Sequence, residues 1–291
     1  MEQMVRCAGI LLALALALAS CGDGGNSSQG TLADAADRTL DTRTAALSVD
    51  ATVEVDGLPS ARIRMDGDGQ MDLERNLVQL ELEAVVPEED ERIEMEEVMT
   101  GNGSVVYLRS PRFLEDLPDG KEWVKLDLVK ASKELGVDPT ALPQASQNDP
   151  AEMLRFLRAV GRVRQVGWEN LDGIATNHYK ANVDVRRYLE LVPAGRRADA
   201  RRSVRRLIDL MGGTSTIPME VWVDESDLVR RIAMDMRTTV PGGSSMRMRF
   251  DMRLFDFGSD VDIEVPDKDE TIDYGELIGG LQPTSAALMA G

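Results

Sequence analysis

Apolar and polar residues alternate with a period of two along most of this chain, and nothing else in the sequence constrains its fold as tightly. In the run from Ser48 to Val55, Val49, Ala51, Val53 and Val55 face one way, and Ser48, Asp50, Thr52 and Glu54 face the other. Ile63 and Met65 alternate with Arg62 and Arg64. Val78, Leu80, Leu82, Ala84 and Val86 alternate with Gln79, Glu81 and Glu83, and Ile93 and Met95 with Glu94 and Glu96. Val105 to Leu108, Val163 to Glu169 and Ala175 to Val185 are further strands. In the last third Met219, Val221 and Val223 share a face, as do Ile232, Met234 and Met236. Met246, Met248, Phe250, Met252 and Leu254 lie opposite Arg247, Arg249, Asp251 and Arg253. Many strands with one apolar face each make a mainly antiparallel sheet with one wet side. Asp56-Gly57, Asp66-Gly67-Asp68-Gly69, Gly101-Asn102-Gly103, Asp172-Gly173 and Pro241-Gly242-Gly243 carry the chemistry of turns.

Helices are expected in three places. Leu32, Ala35, Ala36, Leu40 and Leu47 suggest an amphipathic helix capped by Thr31. Asp149-Pro150 opens a second, running through Met153, Leu154, Leu157 and Val160, with Pro at the first helical position. A third spans Arg196 to Met211, with Ala200, Val204, Leu207, Ile208 and Met211 at helical spacing. Ser110 to Leu117 reads as a short helix or loop. The fold class is therefore α+β.

The N-terminus points to export. Arg6 precedes an unbroken apolar and small run from Ala8 to Ser20, of signal-peptide length and shorter than the roughly 20 residues that span a bilayer. It ends in Leu18-Ala19-Ser20-Cys21-Gly22, which resembles the bacterial lipobox, where the cysteine is acylated and becomes the first mature residue. Residues 1–20 are read as the signal, Cys21 as the lipid attachment site, and 21–30 as a flexible tether of Gly, Ser, Asn and Asp. Residues 31–266 form one domain, with no boundary strong enough to divide it. Residues 267–291 read as an acidic, then Gly/Ala-rich tail. The expected location is the extracytoplasmic side of the cell membrane, held by acyl chains.

Composition removes several functions. The net charge is −18 and the pI about 4.5, against a nucleic-acid partner. His178 is the one histidine, and Cys7 and Cys21 are the two cysteines, so no metal site is expected. His178 lies mid-strand without a nucleophile motif and reads as structural. No nucleophile elbow, phosphate loop or dinucleotide fingerprint occurs, and neither an enzyme nor a cofactor is expected. The faint calcium-loop look of Asp66-Gly67-Asp68-Gly69 reads as a hairpin turn, and Pro87 to Glu91 as a solvated connection.

Two features remain. Arginines concentrate between 186 and 206, and Arg197, Arg201 and Arg205 fall on one helical face. They read either as a solvated face balancing nearby acids or as a contact to anionic lipid head groups. Met65, Met95, Met234, Met236, Met246, Met248 and Met252 fall on the apolar strand faces. Methionine adapts to irregular apolar contacts, so these faces suit either a packed core or a cavity for acyl chains. By strand alternation, the residues lining such a cavity are Val53, Val55, Ile63 and Met65, then Leu80, Leu82 and Met95. Val221, Val223, Met234, Met236, Met248 and Phe250 complete the set.

A run of motifs then resembles the LppX/LprG-type lipoproteins of actinobacteria, within the wider LolA/LolB-like superfamily. These are Gly120-Lys121-Glu122-Trp123-Val124-Lys125-Leu126; Leu171-Asp172-Gly173 leading to His178-Tyr179 and Val183-Asp184; Val221-Trp222-Val223-Asp224 followed by Leu228-Val229-Arg230-Arg231; and Phe255-Asp256-Phe257-Gly258 leading to Val265-Pro266. The resemblance implies a curved antiparallel half-barrel closed by helices around an apolar cavity. It also implies that acylated lipids or glycolipids are held there non-covalently and carried or presented across the envelope. Trp123 and Trp222 match family positions and read as structural. The expected partners are the lipid ligand and, through Cys21, the membrane, with any envelope transporter left unnamed. The alternative is a non-catalytic envelope adaptor without cargo.

Overall fold

A computed structural model describes residues 24–56, 62–86, 91–100, 104–115, 117–128, 130, 154, 157, 160–187, 189, 197–210, 212–239 and 245–281. Helix α1 (Gly24–Asp41) is followed by strands β1 (Thr44–Val55), β2 (Arg62–Asp72), β3 (Leu77–Val86), β4 (Glu91–Thr100) and β5 (Val105–Arg109). Then come the short helix α2 (Pro111–Leu114), β6 (Trp123–Asp127), β7 (Val160–Leu171) and β8 (Ile174–Asp184). Helix α3 (Arg197–Leu210), β9 (Thr216–Asp224), β10 (Val229–Thr239) and β11 (Ser245–Phe255) follow, and β12 (Thr271–Asp273) and helix α4 (Tyr274–Leu281) end the described chain.

All twelve strands form one sheet in the order β12-β6-β5-β4-β3-β2-β1-β11-β10-β9-β8-β7. Every pairing is antiparallel except β6 with β12. The sheet is curved and unclosed, the half-barrel sheet that the sequence resemblance implied. It consists of two meanders, β1 to β6 and β7 to β11, joined where β1 pairs with β11 from Ala46–Phe255 to Val55–Met246. The chain leaves β6 near one edge and returns as β7 at the opposite edge. Leu154 and Leu157 on that connection are completely buried.

One face, here the inner face, carries the main core. Leu32, Ala35 and Ala36 of α1 pack with Leu47, Val221, Val229, Ile232, Met252 and Leu254. Thr39 ties the helix to the sheet: its Oγ1 donates to the Ala35 carbonyl at 2.7 Å and accepts the Val229 N–H at 2.9 Å. The helix ends at Asp41, Arg43 turns the chain at φ 68°, and β1 begins at Thr44. Leu47, placed in the helix by its spacing, is therefore a strand residue, and Val160, also expected in a helix, opens β7. Helix α1 also reaches back to Gly24, into the stretch read as a tether. The helix expected over Arg196 to Met211 is described from Arg197 to Leu210, and beyond it Gly212 and Gly213 adopt positive φ with the Gly213 N–H on the Ile208 carbonyl.

Two further expectations are corrected. Asp66-Gly67-Asp68-Gly69 lies in the middle of β2 and makes no turn. A Cβ on Gly67 would stand 2.1 Å from the Glu81 carbonyl oxygen, and one on Gly69 2.0 Å from that of Gln79. These glycines mark close approach of β3, whose Leu82 and Leu80 fill the space above them. The tail after Pro266 is partly structured: Thr271, Ile272 and Asp273 pair with Trp123, Val124 and Lys125.

The outer face is polar and laced with cross-strand ion pairs, including Arg231–Asp251 at 2.5 Å, Arg92–Glu83 at 2.8 Å and Arg247–Asp235. Two buried tryptophans lie there. Trp222 stacks on His178 at 4.3 Å between ring centroids, and the Arg231 guanidinium lies over its other side, also at 4.3 Å. Its Nε1–H donates to Glu169, and the His178 ring nitrogens lie 2.9 Å from Glu169 and 2.7 Å from Glu220. Trp123 is buried with Leu77, Val98 and Ile263. Both tryptophans and His178 thus hold strands together, away from the inner face.

Candidate lipid-binding face

Strand register decides which inner-face side chains are neighbours, because residues directly opposite lie within side-chain reach. One row across the sheet reads Ile63–Val53–Met248–Met236. The next reads Ile93–Ala84–Met65–Ala51–Phe250–Met234–Met219. A third reads Met95–Leu82–Gly67–Val49–Met252–Ile232–Val221, and a fourth Leu108–Glu97–Leu80–Gly69–Leu47–Leu254. All thirteen residues expected to line a cavity fall on this face.

The face has a packed end and an open end. Val221 and Val223 are at most 2% exposed and Leu80 is 5% exposed, within the main core. Toward the other ends of β1, β2, β10 and β11, Val53, Val55, Met65, Met234, Met236, Met248 and Phe250 are only half-buried. Leu82 and Met95 are also half-buried, and Ile63 is 38% exposed. Met234 sits opposite Phe250 and Met236 opposite Met248, so these four form one contiguous patch. The strands build it because β-branched and methionine residues alternate in phase on neighbouring strands. A one-residue slip would turn the whole set outward.

Arg197, Arg201 and Arg205 are exposed on α3, whose Val204 is buried and whose Ile208 packs on the core. Cys21 lies outside the described residues, as do residues 1–20, the Pro87–Asp90 connection, Gly101 to Gly103, Asp149 to Met153 and Pro241 to Gly243. Asp66 and Asp68 point to the outer face, where with Glu81, Glu83, Arg109 and Lys121 they line an open trough of about 840 Å³.

One inner-face residue was missed. In Glu91–Thr100 the inward positions are Ile93, Met95, Glu97 and Met99, so Glu97 is a carboxyl on the apolar face. It is half-buried between Leu80 and Leu108, and burial pushes its carboxyl up to about 7. The signal was in the sequence: Glu96 and Glu97 are adjacent, so one of them must break the alternation.

No protein-family model matches this chain. It is 28% identical over 170 residues to a Streptomyces griseus protein described as an uncharacterized 31.2 kDa protein in the rplA-rplJ intergenic region. That match covers 56% of this chain and 52% of the relative, so the chain spans about half the length of the curated protein it matches. Among solved structures it is similar to lipoprotein LppX of Mycobacterium tuberculosis, with a TM-score of 0.43, 15% identity, and 81% of this chain and 99% of that one covered. It is also similar to LprF of Mycobacterium bovis, with a TM-score of 0.41, 16% identity, and 84% and 99% covered.

Proposed function

We propose that this chain is a membrane-anchored lipoprotein that binds acylated lipids or glycolipids non-covalently and carries or presents them across the cell envelope. The observation that carries the reading is the half-buried patch of Met234, Met236, Met248 and Phe250 at the open end of the inner face. Leaving a contiguous apolar patch part-exposed forgoes about 25 cal/mol per Å² that burial would return, and an acyl chain laid on it recovers that free energy. Methionine-rich surfaces accept chains of varied shape because their side chains are flexible and polarizable. No reacting group is required for such a task. Acylation of Cys21, with the N-terminal signal ahead of it, would hold the domain at the membrane where its cargo resides.

The test is lipid extraction and mass spectrometry of the Cys21→Ser chain purified without detergent. Bound acyl lipid in near-stoichiometric amount is the expected result. A lipid-free chain that also fails to take up added acyl lipid would overturn the carrier reading in favour of an adaptor without cargo.

A further inference from the structure

Strand β4 presents a carboxyl where its parity calls for an apolar residue. Glu97 pairs with Leu80 on β3 and Leu108 on β5. Above and below it on its own strand are Met95 and Met99. The inward residues flanking these partners on β3 and β5 are Val78, Leu82 and Val106. No titratable or charged side chain faces it from these elements, and among the described residues it has no hydrogen bond or ion pair. It is half-buried, and so are Met95, Leu82 and Leu108 beside it, so it borders the part-exposed stretch of the inner face at Leu82 and Met95 and is not sealed in the core. A carboxyl on an apolar wall is held uncharged to near neutral pH, when it both donates and accepts a hydrogen bond. An anion brought beside it meets either a competing acid or a like charge.

We propose that Glu97 is the polar anchor of the acyl-lipid groove, hydrogen-bonding an uncharged hydroxyl or carbonyl of the ligand and disfavouring ligands with an anionic group at the same depth. The inference rests on the carrier reading of the same face. It makes Glu97 a specificity-determining residue and assigns the preferred ligand to neutral acyl lipids bearing a hydroxyl or ester group.

The experiment uses the Cys21→Ser chain, with and without Glu97→Gln or Glu97→Leu, and two probes with identical chains: dioleoylglycerol and dioleoylphosphatidic acid. Retention of each is measured at pH 6 and pH 8, with thermal melts confirming that each variant is folded. The parent should favour dioleoylglycerol, more so at pH 8, where Glu97 ionises and repels the phosphate. Glu97→Gln should reduce that preference at pH 8 about tenfold, and less at pH 6. Glu97→Leu should weaken dioleoylglycerol about tenfold without weakening phosphatidic acid, because only the hydrogen bond to the neutral head is lost. Folded variants that bind both lipids with the parent's ratio would overturn the anchor and leave the carrier reading standing. A parent that binds neither lipid would overturn both.

Discussion

Glu97→Gln should change how the stability of this protein depends on pH, with a sign and size that follow from where the side chain sits. Burial pushes the Glu97 carboxyl from 4.5 up to about 7. The unfolded chain loses that proton near the ordinary value, whereas the folded chain keeps it until the pH approaches 7. Between those values the unfolded state binds fewer protons, so stability falls as pH rises. The contribution is fully present below about pH 4.5 and is lost as pH passes through about 7. Each unit corresponds to about 1.36 kcal/mol, which gives a loss of about 3 kcal/mol by pH 8. Glutamine has nearly the same shape and no such titration. The unfolding free energy of Glu97→Gln minus that of the parent should therefore grow by about 3 kcal/mol between pH 4 and pH 8. Urea denaturation of both lipid-free chains at one-unit intervals measures it, and the difference cancels the many carboxylates they share. Glu97→Leu should be more stable still at pH 8, since it completes an apolar row. A Gln-minus-parent difference that stays flat across the range would refute the placement of Glu97 in an apolar, unpartnered site.

Other outcomes follow from the same geometry. Met248→Trp should expel bound lipid from the groove with little change in thermal stability. A loss of about 1–3 kcal/mol with lipid retained, the cost of overpacking, would instead make Met248 ordinary core. Gly69→Ala should destabilise by at least about 1–3 kcal/mol in denaturant titrations, because its Cβ would stand 2.0 Å from the Gln79 carbonyl oxygen; unaltered stability would mean that β2 and β3 separate there at little cost. Cys21→Ser should move the protein from the membrane to the soluble fraction, and retention at high salt would contradict anchoring through that cysteine. Replacing Arg197, Arg201 and Arg205 with Gln should weaken binding of the Cys21→Ser chain to anionic vesicles, most at low salt. Equal binding would leave those arginines as a solvated face.

Much of the sheet was legible in the sequence because a strand's side-chain period is local and exact at two. The alternation from Val49 to Val55 and from Met246 to Leu254 put Val53 and Met248 on apolar faces before their pairing was known, and the register then made them direct neighbours. Asp172-Gly173 was legible as a turn for the same local reason: both residues adopt positive φ, which a two-residue hairpin demands. Glu97 was legible too, by parity with Met95 and Met99, but an acidic pair beside a polar face conceals which member turns inward.

Tertiary structure decided whatever depends on a partner distant in the chain. Gly67 and Gly69 look like turn residues locally, and only the carbonyls of Glu81 and Gln79 make them strand residues that cannot carry a side chain. Thr271–Asp273 has too little pattern to announce a strand, and its pairing with Trp123–Lys125, across a sequence gap of more than a hundred residues, makes it one. The split of the inner face into a packed end at Val221 and an open end at Met236 was likewise invisible. Alternation tells which way a side chain points, whereas what covers it depends on where helix α1 and residues such as Leu154 come to rest.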